Sequence, residues 1–394
     1  MNLSTARKLG RIARERLANQ LSAGRFASEA SANGPVPDGA VALFFAVGPE
    51  NAYQFEQWRQ PLESLAGRRP VVVITDRPDT GRLVLATSSL PVAFARASGE
   101  LETLVERHRV AAVLYANQVE QNFRMLRFAD PVHIQIGHGE SDKGGSVSNQ
   151  HKAYDYTFIG GPAGRERLAR ALYDFDAQAR IREVGRPQLD HEHRGAPSWP
   201  DDGRLRVLYA PTWEGDRATI RYGSLVSHGA AVITALRADP RIRVIYRPHP
   251  RIGQASAAHA AADASIRRSL AADGDRHLVD TGSYGWQWRF ADSCVTDVSA
   301  VAYDWLATGK PLVITEPAPE AYRPASPLLE SVDLLPASRA GDLRALLPEP
   351  SSLQASLSRH YFGETADRAS TRRFETALTE VIERRRREIA TRTT

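Results

Sequence analysis

The sequence predicts an α/β protein that contains two successive halves, each built around a doubly wound parallel sheet. Short apolar segments alternate with segments of helical length from residue 40 onward, and the alternation restarts after residue 203. Apolar strands that alternate with helices are typical of parallel sheets covered on both faces. The length of 394 residues also corresponds to about two domains of ordinary size.

The first predicted domain comprises residues 30–190 and opens with a Gly- and Pro-containing linker at 30–39. Its strands are predicted from short apolar runs, and they are 40–47, 70–75, 90–95, 110–116, 132–136 and 154–160. Helices are predicted where the intervening segments have helical length and composition, at 50–67, 98–108 and 162–174.

The second predicted domain comprises residues 204–363 and follows a linker, 191–203, that is rich in Pro, Gly and charged residues. Its predicted strands are 206–210, 242–247, 277–280, 293–297 and 311–316, and its predicted helices are 226–238, 256–271, 284–291 and 299–308. Ligands bind at the carboxyl ends of strands in such sheets. We therefore expect the two domains to face one another across a cleft that holds the site.

Two further helices are predicted outside these domains. Residues 1–29 contain a basic helix, because Leu and Ala recur at helical spacing over 1–26 while Arg and Lys occupy much of the remaining surface. Such a helix can lie on an anionic membrane surface or pack its apolar stripe on its own protein, and the sequence leaves both open. Residues 364–394 contain a long helix rich in Arg and Glu, with many pairs at i,i+4 spacing.

Composition restricts the classes of partner and of site. The net charge is +5, and all but four of the 51 basic residues are Arg, which reflects either codon usage or attraction to an anionic partner. No nucleic-acid-binding motif is present, so we expect no nucleic acid partner. The single cysteine, Cys294, excludes an intramolecular disulfide and a cysteine-built zinc site.

The location of the protein is predicted from its apolar segments. The longest apolar run, 40–47, is much shorter than the ~18 residues of a membrane-spanning helix. The basic start of the chain lacks the apolar core of a secretory signal. We expect a cytoplasmic protein, or one that binds peripherally to the inner face of the plasma membrane.

The first group of candidate site residues follows the strand at 132–136. His138 lies there between two glycines, which leaves room for a substrate beside an imidazole that titrates near neutral pH. The alternative is a structural histidine that caps a turn. Ser141, Asp142 and Lys143 follow in a Gly-flanked loop suited to an anion, although the loop does not match a P-loop.

The second group follows the strand at 242–247, in the sequence Arg-Pro-His-Pro. Two prolines restrict the backbone around His249, and Arg247 offers a fork of donors suited to phosphate. Thr212, Trp213 and Glu214 follow the strand at 206–210 and are expected at the same edge of the sheet, although Trp213 is equally suited to a core position.

The third group follows the strand at 293–297. Thr296 and Asp297 end the strand, and Ser299 stands where it can N-cap the helix 300–308. The free N–H groups of that helix, together with the Thr and Ser hydroxyls, suit a phosphate; Asp297 and Ser299 are alternatively helix caps alone. The chain's Asp-x-Asp pairs lie away from the strand ends, so no metal cofactor is expected.

These motifs together resemble the CDP-glycerol glycerophosphotransferase family, the teichoic-acid glycerophosphate polymerases and primases with a GT-B-like fold. The similarity extends from about residue 130 to 320 and comprises, in order, the His-Gly loop, GRPQLD, YAPTW, RPHP and TDVSAVAYDWLATGKP. The resemblance implies that His138 is the base and that His249 stabilises the diphosphate. It also implies donor contacts, for which we expect Arg247, Thr212, Thr296, Asp297 and Ser299.

The sequence departs from the family pattern mainly in the acceptor half. Gly137 stands where the family usually has Trp, and ESDKGGSVSNQ (140–150) replaces the usual loop after His-Gly. Glu214 stands where an Arg often follows the family's APTW motif, and Ala300 interrupts a Ser-Ser pair. The expected residues of the acceptor or of the cleft wall are Gly139, Ser141, Asp142, Lys143, Trp213 and Glu214.

The resemblance implies transfer of glycerol phosphate, or of a related polyol phosphate, from CDP-glycerol or a related CDP-polyol to a hydroxyl group, with release of CMP. The expected acceptor is a teichoic-acid-like or capsular polymer or a lipid-linked glycan, and no cofactor is expected. Three alternatives stay open: a GT-B glycosyltransferase that uses a nucleotide sugar, a nucleotide-sugar 2-epimerase, and a non-catalytic relative that binds polymer.

Overall fold

The structure is a computed structural model that describes residues 22–144, 147–215 and 220–393. Most of the predicted basic helix at 1–29, and most of its predicted apolar stripe over 1–26, lies outside these residues. Residues 22–32 are helical and form α1. No helix in the described ranges has the length and apolar character needed to cross a membrane.

The first sheet has seven strands in the order β3-β2-β1-β4-β5-β6-β7, and its first six strands pair in parallel. The strands are β1 (Val41–Phe44), β2 (Val71–Thr75), β3 (Val92–Phe94), β4 (Ala112–Tyr115), β5 (Val132–Gln135), β6 (Tyr156–Ile159) and β7 (Ile181–Glu183). Every residue of β1, β2, β4 and β5 is buried, as expected for apolar strands covered on both faces.

The second sheet has five parallel strands in the order β10-β9-β8-β11-β12. The strands are β8 (Leu205–Ala210), β9 (Ile242–Tyr246), β10 (Leu278–Val279), β11 (Ser293–Thr296) and β12 (Leu312–Ile314). The strand order reverses between β8 and β11, which makes their carboxyl ends the topological switch point where ligands bind in such sheets.

The helices connect and follow these strands. They are α2 (Ala52–Ala66), α3 (Pro78–Thr87), α4 (Ser98–Arg107), α5 (Phe123–Leu126), α6 (Pro162–Ala171), α7 (Ala177–Arg180), α8 (Leu225–Ala238), α9 (Ala257–Ala271), α10 (Trp286–Phe290), α11 (Ala300–Leu306), α12 (Pro327–Glu330), α13 (Leu343–Leu346), α14 (Gln354–Phe362) and α15 (Ala369–Thr393). Connecting helices after most strands match the predicted alternation.

All eleven predicted strands are present, whereas several elements were not predicted. The edge strand β7 has the sequence Ile-Arg-Glu and lacks an apolar run. Helix α3 contains Gly81, a weak helix former, which lies where a Cβ would overlap the ring of Phe26. The long helix predicted within 364–394 begins at Ala369, because Asp367 has a left-handed backbone with φ of 50°.

The chain forms two compact units. The first contains the described residues up to His138, Ala153–Thr157, and those from Glu375 onward; the second contains Gly139–Lys152 and Phe158–Phe374. The first unit has an apolar core around β1, β2 and β4. A core cluster of the second unit lies around β8, β9 and α8.

A buried ion pair in the second unit joins two of the sequence motifs. Arg186, in GRPQLD, approaches Asp304 of α11 with Nε–Oδ1 and Nη2–Oδ2 distances of 2.8 and 3.2 Å. The two side chains are only 6% and 0% exposed. This bidentate geometry ties α11 to the segment after β7, and a buried charge requires such a partner.

We expect Arg186→Met to lower the free energy of unfolding by about 3–5 kcal/mol, because it leaves the Asp304 carboxylate buried without its partner. Urea denaturation followed by circular dichroism measures the loss. The control is Arg289→Met, since the side chain of Arg289 is 71% exposed. The double variant Arg186→Met/Asp304→Leu removes both charges and is expected to be more stable than Arg186→Met; an equal or larger loss would contradict the argument.

Candidate active site

The first candidate segment begins at the turn after β5. Gly137 has φ of +60°, a left-handed conformation that favours glycine. The indole N–H of Trp58, in α2, donates a hydrogen bond to the carbonyl of Gly137. The turn geometry therefore explains the glycine that precedes His138, and a tryptophan from another element supports its carbonyl.

The imidazole of His138 is oriented by its own unit. Its Nδ1 lies 2.9 Å from the carbonyl oxygen of Ala116, directly after β4, and the ring of Tyr53 meets it edge-on at 5.7 Å between centroids. A carbonyl oxygen only accepts hydrogen bonds, so Nδ1 carries the hydrogen. In the neutral ring, Nε2 is then the nitrogen that can accept a proton.

The segment after His138 belongs to the second unit, where a buried polar network holds it. Arg167 Nη1 lies 2.6 Å from Asp142 Oδ1, and Arg167 also pairs with Glu140. The hydroxyls of Tyr303 and Tyr361 donate to the other oxygen of Asp142. Burial lowers the pKa of Arg167, but the charges of Glu140 and Asp142 outweigh burial and raise it overall. Asp142, a predicted acceptor residue, is thus engaged by protein partners.

The neighbours of Asp142 lie close to residues of the second sheet. A Cβ at Gly139 would come within 2.7 Å of the Cβ of Ala300, the first residue of α11, so the backbone approaches closely there. The ammonium of Lys143 lies 5.2 Å from the ring centroid of Tyr222. Burial lowers the pKa of Lys143 to about 8, against the opposite effect of the Asp297 charge. Ser141 is buried.

Asp297 lies at the switch point and binds three neighbouring segments. Its Oδ2 accepts the backbone N–H groups of Thr212 at 2.7 Å and Ser224 at 3.3 Å. Its Oδ1 accepts the hydroxyls of Ser224 and, at 2.6 Å, Thr315. Burial raises the pKa of Asp297, and these hydrogen bonds oppose that effect. The side chain is fully buried, so it positions the strand ends.

Thr296 and Ser299 lie beside Asp297. The hydroxyl of Thr296 donates to the carbonyl of Ala210 at 2.7 Å and lies 3.3 Å from the Ser299 hydroxyl. Ser299 occupies the N-cap position of α11, as predicted, but its side chain makes no capping hydrogen bond. Helix α11 has seven residues, fewer than the nine predicted. Direct contact of Thr296 and Ser299 with a phosphate stays a prediction.

The guanidinium of Arg247 also has internal partners. Its Nη1 lies 2.6 Å from the carboxylate of Asp280, and its Nη2 donates to the carbonyl of Gly282 at 2.9 Å. The Cζ atom lies 5.2 Å from the ring centroid of Tyr284. These contacts hold the start of the RPHP motif against the segment after β10. A direct phosphate contact by Arg247 stays a prediction.

The imidazole of His249 is the opposite tautomer to that of His138. The backbone N–H of Arg251 donates to His249 Nδ1 at 3.1 Å, so Nδ1 carries no hydrogen and Nε2 of the ring is the N–H donor. The backbone N–H of His249 donates to the carbonyl of Pro211 at 3.2 Å, which joins the ends of β8 and β9. The His249 ring stacks on Trp213, with centroids 6.4 Å apart and planes at 28°.

Glu214 orders the loop that follows His249. Its carboxylate accepts the backbone N–H groups of Gly253 at 3.1 Å and Ala255 at 2.8 Å. Burial raises the pKa of Glu214, but backbone hydrogen bonds, including these two, lower it overall. The Glu at this position therefore binds the chain's own backbone.

The structure brings most predicted site residues together in the second unit, whereas His138 lies in the first. The pairs in contact are Thr212 with Asp297, Thr296 with Ser299, and Trp213 with His249. The sequence analysis did not identify the residues that hydrogen-bond or stack with the candidate site residues, which are Arg167, Ser224, Arg251, Asp280, Tyr303, Thr315 and Tyr361. Arg251 and Tyr303 carried a usable signal, because each lies within or directly beside a strand-end motif, and so did Asp280 and Thr315, because each lies at the carboxyl end of a predicted strand. The described part of the chain holds no group of three or more His, Cys, Asp or Glu side chains that could bind a metal ion.

The fold resembles several solved structures. A putative UDP-N-acetylglucosamine 2-epimerase from Listeria monocytogenes has a TM-score of 0.57 at 12% identity, covering 88% of this chain and 97% of its own. The wall teichoic acid polymerase TagF has a TM-score of 0.56 at 14% identity, with coverages of 98% and 99%. MnaA from S. aureus, in a co-structure with UDP, has a TM-score of 0.54 at 10% identity, with coverages of 88% and 97%. These likenesses confirm a GT-B-like α/β fold with two Rossmann-like sheets.

Sequence comparison identifies the family. No curated protein matches the chain. The family model described as CDP-glycerol:poly(glycerophosphate) glycerophosphotransferase matches residues 124–353, which is more than half of the chain and includes every strand-end motif from His138 to Ser299. The chain therefore belongs to the CDP-glycerol:poly(glycerophosphate) glycerophosphotransferase family of enzymes.

Proposed function

We propose that the enzyme transfers glycerol phosphate, or a related polyol phosphate, from the CDP-activated donor to a hydroxyl group of a teichoic-acid-like polymer. The family supports the donor and the reaction, and the polymerase TagF is among the structural neighbours. The observation that supports this mechanism best is that the two histidines are opposite tautomers. Nδ1 of His138 donates, whereas Nδ1 of His249 accepts, which suits them to opposite tasks.

His138 acts as the general base. Its Nε2 takes the proton from the acceptor hydroxyl as the hydroxyl oxygen attacks the β-phosphorus of the donor. A bond forms between that oxygen and the β-phosphorus, and the bond from the β-phosphorus to the bridging oxygen breaks. CMP leaves with the bridging oxygen and its electron pair. The carbonyl of Ala116 holds the imidazole in the tautomer that can receive the proton.

His249 stabilises the charge that develops on the diphosphate. Its Nε2–H is the donor of the ring, and a donor already in place at the transition state stabilises negative charge without reorganisation. Thr212, Thr296 and Ser299 supply further polar groups at the same strand ends. Asp297 holds the backbone of Thr212, and the hydroxyls of Thr296 and Ser299 lie together. Asp280 holds the guanidinium of Arg247 in place at this edge, where we assign it a further contact with the donor phosphates.

The acceptor is the least constrained part of the proposal. The predicted acceptor residues Ser141 and Asp142 are buried, and Asp142 is held by Arg167. Lys143 lies in the same segment, and its ammonium group, near the ring of Tyr222, is the cation that we assign to an anionic acceptor. A growing polyol-phosphate polymer or a lipid-linked glycan carries phosphate groups that this cation suits.

Alanine substitutions of the two histidines are expected to affect different properties, the rate of transfer for His138 and the affinity for the donor for His249. His138→Ala removes the base, which typically costs 10²–10⁴-fold in rate, and should leave the affinity for CDP-glycerol largely unchanged. His249→Ala removes a hydrogen bond to a charged group, worth about 1.5–3 kcal/mol, and should weaken donor binding roughly 10–150-fold. Calorimetric titration with CDP-glycerol and measurement of CMP release separate the two effects.

The matched control is His108→Ala, in the first unit but outside these motifs, which should bind and turn over donor normally. A donor panel accompanies the variants, with CMP release from CDP-glycerol compared with UDP release from UDP-sugars. UDP release alone would favour a glycosyltransferase. Full turnover by both His138→Ala and His249→Ala would refute the assigned site.

Metal independence is a separate proposal. It rests on the cationic and N–H groups at the strand ends, which can stabilise a diphosphate in place of a divalent ion. We expect more than half of the activity to survive dialysis against EDTA. Loss of activity that magnesium or manganese restores would contradict this.

We also propose peripheral binding to an anionic membrane surface through residues 1–29. Basic residues near an anionic leaflet each contribute about 1 kcal/mol of attraction. Removing residues 1–21, which leaves the buried Phe26 in place, should abolish co-sedimentation with liposomes that contain phosphatidylglycerol, while turnover of a soluble acceptor persists. Equal sedimentation of the full and shortened chains would refute the membrane role.

A further inference from the structure

We propose that Arg251 is a donor-binding residue that contacts the phosphates of the CDP-activated substrate. The proposal rests on the proposed function and adds a residue that the motifs did not indicate. It depends on the position of the Arg251 guanidinium on Trp213, the indole that also stacks with His249. It depends further on the lack of an acidic partner among the described residues, and on the N–H donors at the edge of the guanidinium.

The guanidinium lies on the indole of Trp213. The distance from Arg251 Cζ to the Trp213 ring centroid is 3.7 Å, the shortest cation–ring distance found in the described residues. Trp213 also stacks with His249, and the backbone N–H of Arg251 donates to His249 Nδ1. Arg251 and His249 are therefore held in a common arrangement by one ring and one backbone hydrogen bond.

Arg251 differs from Arg247 and Arg167 because it forms no ion pair with a carboxylate in the described residues. Arg247 pairs with Asp280, and Arg167 pairs with two carboxylates. Among the described residues, no carboxylate lies within ion-pair distance of Arg251. The nearby carboxylate of Glu214 is instead occupied by the backbone N–H groups of the following loop. The positive charge of Arg251 is thus available to a ligand.

The geometry also leaves suitable donors free. A cation–π contact uses the face of the guanidinium, whereas its five N–H groups lie in the plane and point outward from its edge. That planar fork matches two oxygens of one phosphate. A diphosphate bound at His249 would find a second, charged donor group on the indole that stacks with that histidine. A nucleotide diphosphate is therefore the ligand chemistry that this pair favours.

The test compares Arg251→Met with Arg289→Met. Methionine keeps apolar contact with Trp213 but removes the charge and the fork. Arg289 belongs to the same unit, is 71% exposed and lies 3.5 Å from Glu192, so its removal controls for loss of one positive charge. Calorimetric titration with CDP-glycerol should show about 10–150-fold weaker binding for Arg251→Met, and less than a twofold change for Arg289→Met.

A second variant, Arg251→Lys, retains the charge without the planar fork and should bind the donor with intermediate affinity. It also tests the proposal if Arg251→Met fails to fold, which thermal denaturation reports. Wild-type affinity from Arg251→Met, or from Arg251→Lys where Arg251→Met does not fold, overturns the inference. So does an equal loss in Arg251→Met and Arg289→Met. Failure of the wild-type enzyme to bind CDP-glycerol would instead refute the proposed function, so the two failures are distinguishable.

Discussion

The carboxylate of Asp297 is the interaction on which the candidate site of the second unit depends. It lies at the switch point, where β8 and β11 are neighbours, and it accepts hydrogen bonds from Thr212, Ser224 and Thr315. A buried carboxylate is stable only when its oxygens are hydrogen-bonded. The ends of β8 and β12 and the start of α8 must therefore come to Asp297 in a defined arrangement.

The residues that follow Thr212 connect Asp297 to the proposed reacting groups. Thr212 is followed by Trp213, which stacks with both His249 and Arg251, and by Glu214, which orders the loop after His249. Backbone atoms complete the assembly, because Pro211 accepts the N–H of His249. The buried carboxylate of Asp297 therefore helps to position Trp213, His249 and Arg251 through this series of contacts.

Much of the fold was predictable because apolar strands of parallel sheets form continuous runs. The β7 strand was not, since its sequence Ile-Arg-Glu carries no such run. The locations of the site motifs were also predictable, because each follows a strand. Their side-chain contacts were not: Asp142 and Arg247 looked suited to a ligand, but their partners Arg167 and Asp280 are 25 and 33 residues away.

The sequence by itself determined eleven of the strands, with β7 as the exception. It also determined that the histidines and phosphate-binding candidates follow strand ends, and to which family the motifs are similar. Only the tertiary structure decided which nitrogen of His138 carries a hydrogen, because its partner Ala116 is 22 residues away and comes close through the pairing of β4 with β5. It likewise decided that Arg251 lies on Trp213, across the neighbouring strands β8 and β9. Apolar periodicity is local, whereas the partners of buried polar atoms come from neighbouring strands that are distant in sequence.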